Sequence, residues 1–346
     1  MNLLTSSWRY LALTVLAAAI NGCGSTSQNS IVPGLPESSV SYQYRIRPQM
    51  LYPHSGHSWM SPTARATDLL YVSNVFSGTV SVFSWPGLNV VGSLKGFQEP
   101  SGLCIDKAQD VYIVDFSAEE IYEYAHGGNA PLRSLADPGG SPNACSVDRV
   151  TGNLAVANQY GGYPSESAGN LEVYPGASGS PREYTDLDIF AYWWPAYDNK
   201  GDLFFDGFNS SFSAFYTAEI RKGSTSPKSI TLNQTFGFPG SLLWDGKYLL
   251  CVDSTVNVIY QFAISGKKGI EVGSTKLGGA TSILQFWVTG KNGKHREGQT
   301  VVGADTGASA VEVWPYPAGG SSPTKMTTQS IDDPEGAAVS LRTKGG

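Results

Sequence analysis

Pro100-Ser-Gly-Leu-Cys-Ile-Asp106, followed by the turn Lys107-Ala-Gln-Asp110 and by Val111-Tyr-Ile-Val-Asp115, is the stretch whose reading decides the fold. A proline stands ahead of a short apolar run, polar residues turn the chain, and a second apolar run ends in Asp. Proline has no N–H for a ladder and is tolerated at the first residue of a strand. Asp and Asn at a strand end accept hydrogen bonds from the N–H groups of a following turn. The same order returns at Pro142-Asn-Ala-Cys-Ser-Val-Asp148, Pro195-Ala-Tyr-Asp-Asn199, Pro239-Gly-Ser-Leu-Leu-Trp-Asp245 and Pro334-Glu-Gly-Ala-Ala-Val-Ser340. A degenerate copy near Ser282 lacks the proline.

The second strands give an independent register. They begin at Leu70, Val111, Leu154, Leu203, Leu249 and Thr300, and they end at Asn74, Asp115, Asn158, Asp206, Asp253 and Asp305. The steps between those ends are 41, 43, 48, 47 and 52 residues, a period that fits one four-stranded blade per repeat. The Pro334 copy has a first strand and no chain left for a blade, whereas the Leu70 copy lacks a first strand. Each supplies what the other lacks. The expected fold is therefore all-β: a six-bladed β-propeller whose ring is closed by the C-terminal strand. The composition agrees, with 41% hydrophobic and 15% charged residues, 40 Gly and 20 Pro in 346 residues, which excludes disorder over most of the length. A formal charge of −6 without clustered Lys and Arg gives no footprint for nucleic acid.

Ahead of the repeats, Arg9, the apolar run Tyr10 to Ile20 and the junction Ala19-Ile20-Asn21-Gly22-Cys23 read as an export signal with a bacterial lipobox. The expected layout is a lipoprotein signal peptide at 1–22, a Ser-, Gly- and Pro-rich flexible tether at 23–66, the propeller at 67–341 and a tail at 342–346. Cys23 is the expected lipidation site. The protein is expected to be exported, monomeric and attached to the membrane through the lipid alone, facing the periplasm or the cell surface. Gly24 after Cys23 favours the outer membrane if the host has two membranes. Cys104, Cys145 and Cys251 form no CxxC or Cys/His cluster and, being odd in number, leave at least one free thiol; they read as small buried apolar residues.

The Pro-x-Gly…Asp…Tyr-Val…Asp pattern, best seen in PSGLCID and PNACSVD, resembles NHL repeats and the six-bladed gluconolactonase and senescence-marker superfamily. The resemblance covers about Thr67 to Leu341. It implies a divalent cation at one mouth of the channel, held by oxygen ligands at the starts of the innermost strands. The positions after each proline are Glu335, Ser101, Asn143, Ala196 and Gly240, with Thr281 or Ser282 in the degenerate copy. Only Glu335 and Asn143 are strong oxygen ligands for Ca²⁺ or Mg²⁺, and Ser101 stands where the superfamily has an acidic residue. The recurring Asn/Asp ring is read as turn chemistry rather than as a metal site.

Phe190, Tyr192, Trp193, Trp194 and Tyr197 surround Pro195, and Phe236 and Phe238 precede Pro239. On this reading Trp193, Trp194 and Phe238 help Glu335, Asn143 and Ser101 to bind a small molecule or a protein at the mouth. Lys291, Lys294, His295 and Arg296 read as a solvated loop, and no His has a nucleophile partner in the sequence. The functional expectation is a non-catalytic ligand- or protein-binding module at the cell envelope. The alternative is a divalent-metal-dependent hydrolase acting on lactones or esters.

Overall fold

Alternation of apolar residues along each strand places them on both faces of every sheet, so each sheet buries one set against the sheet before it and the other against the sheet after it. Leu69 and Tyr71 pack with Leu103 and Ile113, while Leu70 and Val72 on the opposite face pack with Val302 and Val313. Six apolar clusters arise in this way around the molecule. Burying one such side chain contributes about 1.5–3 kcal/mol, and sheet-to-sheet packing is the main source of cohesion.

The computed structural model describes residues 56–138, 140–162, 167–289 and 299–342. The strands form one five-stranded, three four-stranded and one eight-stranded sheet. The eight-stranded sheet consists of two antiparallel four-strand halves, joined where Thr231 and Leu232 pair in parallel with Lys268 and Gly269. The innermost strands are Pro100–Ile105, Pro142–Val147, Ala191–Tyr197, Pro239–Trp244, Ile283–Thr289 and Pro334–Ser340. Each touches the next in that order, and Pro334–Ser340 touches both Ile283–Thr289 and Pro100–Ile105.

The C-terminal strand pairs antiparallel with Leu69–Asn74, Val339 lying opposite Leu70. It supplies the first strand that the Leu70 copy lacks. His126 and Ser340 hold this junction: Ser340 Oγ lies 2.6 Å from His126 Nδ1, and His126 Nε2 lies 3.0 Å from the Thr67 carbonyl. Sequence reading found no partner for a histidine, yet the fold brings this pair together. Ser340 has no exposed surface, so the contact is a latch and not a nucleophile with its base. Folded chain also extends ahead of Thr67, because Trp59–Met60 adds a fifth strand to the first sheet, with Trp59 opposite Ser93, and Ala64 is buried.

Cys104 and Cys145 form a disulfide between neighbouring innermost strands, which corrects their reading as separate buried thiols. Their places four and three residues after a proline put the two side chains where adjacent strands face each other. Cys251 is free and buried. Cys23 and the basic residues Lys291, Lys294, His295 and Arg296 lie outside the described residues.

Candidate functional site

Every innermost strand begins with a bulge. Pro100 lies opposite Asp115 but Leu103 lies opposite Ile113, so Ser101 and Gly102 together face one residue. The same break follows Pro142, Pro239, Ile283 and Pro334, each paired with the Asn or Asp that ends the second strand. In the fourth repeat the break falls between Tyr192 and Pro195, and Tyr192 pairs with Gly207.

That register corrects three assignments. Tyr192, not Pro195, holds the proline place; Trp193, not Ala196, follows it; and Gly207, not Asp206, holds the Asn/Asp place. Ile283 takes the proline place in the degenerate repeat, so Leu284 rather than Thr281 or Ser282 follows it. The clue was in the sequence: the Asp of the turn stands six positions after Pro100, Pro142 and Pro239, but Asp198 stands three positions after Pro195. Asp206 thus points to the other face of its strand, fully buried, where desolvation holds its carboxyl well above the usual range.

The remaining Asp residues act as clamps. Asp115 accepts the N–H groups of Gln98 and Glu99 at 2.8 Å each, and Asp305 those of Thr281 and Ser282 at 2.6 and 2.9 Å. Asp253 accepts from Gly237, Phe238 and Thr255. These carboxylates fix the segment entering the innermost strand as well as the following turn. Burial pushes Asp115 up to about 6, against the effect of its amide donors.

At the strand starts two of the expected binding residues, Ser101 and Asn143, bond through their side chains to neighbouring backbones. Ser73 Oγ donates to the Ser101 carbonyl at 2.6 Å, Ser101 Oγ to the Asn143 carbonyl at 2.8 Å, and Asn143 Nδ2 to the Trp193 carbonyl at 3.0 Å. These bonds staple consecutive repeats. Glu335, Asn143 and Ser101 are each at most 3% exposed. Gly336 permits the close approach, since a Cβ there would stand 2.5 Å from the Ser101 carbonyl oxygen. Trp193, Trp194 and Phe238 are equally buried, in the apolar cluster that also holds Phe208 and Phe262. Some of these aromatics were expected to line the mouth, with packing between blades as the alternative; these three side chains are packed in the apolar cluster. With Trp193, Gly240 and Leu284 completing the ring of equivalent positions, the oxygen set does not fit Ca²⁺ or Mg²⁺, which take about six to eight oxygens or a near-octahedral shell.

The second halves of the same strands surround a cavity of about 420 Å³. Gln285 forms its floor. Its Oε1 accepts from Leu103 N and Ala337 N, both at 3.0 Å, and its Nε2 donates to the Leu103 carbonyl at 2.7 Å. One side chain thereby bridges three innermost strands across the channel. The walls carry the Cys104–Cys145 disulfide, Trp244 and Trp287. Trp244 stacks on Phe204 with 6.0 Å between ring centres, and its indole N–H is buried without a partner among the described residues.

Gln109, Arg149, Asn199 and Asp245 also line the cavity. Asp245 is engaged, accepting from Lys247 N, Tyr248 N and the Tyr316 hydroxyl. Arg149 is exposed, yet the protein around its guanidinium thins its hydration enough to lower its pKa, an effect that the Asp106 charge opposes. Sequence reading missed this end entirely. The signal available was Gln285, a polar residue inside the apolar run Ile283-Leu-Gln-Phe-Trp-Val288.

No family model and no curated protein matches the sequence. Among solved structures, the crystal structure of a nidogen/laminin complex superposes with a TM-score of 0.63 at 14% identity, covering 80% of this chain and 100% of that one. A protein of unknown function from Bacteroides caccae does so with a TM-score of 0.58 at 12% identity, again over 80% and 100%. The fold is a β-propeller. At these identities the likeness carries the fold and nothing of the function.

Proposed function

We propose that this chain is an exported, lipid-anchored, six-bladed propeller that works as a non-catalytic binding module and takes a small ligand into the cavity floored by Gln285. The two halves of the eight-stranded sheet are counted as two blades, in keeping with the six sequence repeats. The observation that carries the binding reading is the contrast in hydrogen bonding between the two ends of the channel. Ser101 and Asn143 are committed to neighbouring carbonyls, whereas the cavity joins aromatic side chains to N–H groups of Arg149, Gln109 and Trp244 that have no partner among the described residues. Such a lining suits recognition of a small molecule. The disulfide supports export, because such bonds persist in oxidising compartments.

Titration of the purified domain with Ca²⁺, Mg²⁺, Mn²⁺ and Zn²⁺ while following thermal unfolding, together with a lactone and ester panel, tests the non-catalytic reading. The expected result is no stabilisation by any ion and no turnover. Stabilisation by an ion, with turnover abolished in Glu335→Gln, would overturn it. Labelling with a fatty-acid analogue should mark the wild type and not Cys23→Ala; an unmodified mature N-terminus would make the protein secreted and free.

A further inference from the structure

We infer that the ligand of the Gln285-floored cavity is a small ring compound bearing a carboxylate, bound through Arg149 and stacked against tryptophan. The inference rests on the cavity being the binding site and concerns the class of ligand it takes. Its basis is an accounting of the polar groups on the lining.

Among the described residues Arg149 is the only cation on this lining, and among them it has no hydrogen bond and no ion pair. The one carboxylate on the lining, Asp245, already accepts from two backbone amides and a tyrosine hydroxyl. Gln109 Oε1 accepts from Leu341 N at 2.7 Å, which leaves its amide N–H₂ as a donor. The Trp244 N–H, buried in the wall, is a second donor without a partner among the described residues. Asn199 donates one N–H to the Gly246 carbonyl at 3.1 Å and keeps its second N–H and its oxygen. The unengaged groups are thus mainly donors beside one positive charge.

A ligand that completes them must be rich in acceptors and negative. A guanidinium fork matches a carboxylate in two parallel hydrogen bonds. The indole rings of Trp244, one face of which is stacked on Phe204, and Trp287 line the cavity and suit a flat or ring-shaped body. A cavity of about 420 Å³ has room for one such ring and not for a polymer. Asp106, Asp148 and Lys107 stand in the adjoining groove with Arg149. Asp148 accepts from Val150 N at 2.9 Å and from the Thr151 hydroxyl, and Asp106 from Asp110 N at 2.8 Å. Both acids therefore serve their own turns.

The test is a calorimetric titration of the purified chain with matched pairs: phenylacetate against phenylacetamide, indole-3-acetate against indole-3-acetamide, and glucuronate against methyl glucoside. The acids should bind at least tenfold more tightly than their neutral partners. Arg149→Gln should abolish that preference, Arg149→Lys should restore part of it, and Trp244→Ala should weaken every ligand that binds. Equal binding of acids and neutral partners would overturn the anionic class while leaving the cavity as the site. Binding of the acids that survives both Arg149→Gln and Trp244→Ala would overturn the cavity itself. Failure of all six probes to bind would overturn the ligand class.

Discussion

At the starts of the innermost strands Ser101 donates to Asn143 and Asn143 to Trp193. At their finishes Arg149, Gln109 and Trp244 keep N–H groups without a protein partner among the described residues. Both ends carry polar residues at repeat-related positions, so residue type alone would call either one a site. The difference lies in partners. Where a polar side chain satisfies a neighbouring strand's backbone, it holds the ring together, and its removal should register in stability. Where it satisfies nothing in the protein, its removal should register in binding.

The largest effect falls on the ring. Truncation after Asp332 deletes the strand that pairs with Leu69–Asn74 and exposes an open sheet edge. The shortened chain should show no cooperative urea transition and should aggregate; a two-state transition close to that of the full chain would show that closure is dispensable.

Gln285→Leu comes next. It strands Leu103 N, Leu103 O and Ala337 N inside the channel, and leaving buried polar groups unpaired costs about 1–3 kcal/mol each. Urea unfolding should show a loss of at least about 2 kcal/mol. Replacing both Cys104 and Cys145 by Ala removes a cross-link that spans 41 residues and should cost about 2–4 kcal/mol. An unchanged unfolding midpoint in either variant would sink the corresponding claim.

A smaller effect tests the latch at the closing strand. Burial holds the His126 imidazole below its ordinary value of 6.5, so the folded state favours the neutral ring. As pH falls through 6.5 the unfolded chain takes up the proton first, and stability is lost until the folded pKa is passed. The partly exposed site limits the loss to about 1 kcal/mol or less. Urea midpoints measured at pH 7.5 and pH 5 should differ less in His126→Gln than in the wild type, and an equal difference would remove His126 as the cause.

The propeller was legible because two markers, Pro before one strand and Asn/Asp after the next, recur in register. A strand period of two then places the apolar residues between sheets. The fourth repeat misled for a local reason: Pro195 and Asp206 mimic the markers, but the pairing of Tyr192 with Gly207 puts both out of place. The Cys104–Cys145 bond was hidden because it joins residues brought together only by neighbouring repeats. The cavity was less legible still. Arg149 and Trp244 fall just after and within the repeating stretch, at positions where the residue type changes from repeat to repeat, and only the hydrogen bonds of the folded chain separate them from Ser101 and Asn143.

The most direct test of that separation is a pair of indole-3-acetate titrations on Arg149→Gln and Glu335→Gln, each compared with the wild type. One variant alters the open end of the channel and the other the stapled end. The account predicts that Arg149→Gln weakens binding at least tenfold and that Glu335→Gln leaves it within twofold. Loss of binding in Glu335→Gln with Arg149→Gln unaffected would contradict it and return the site to the strand starts.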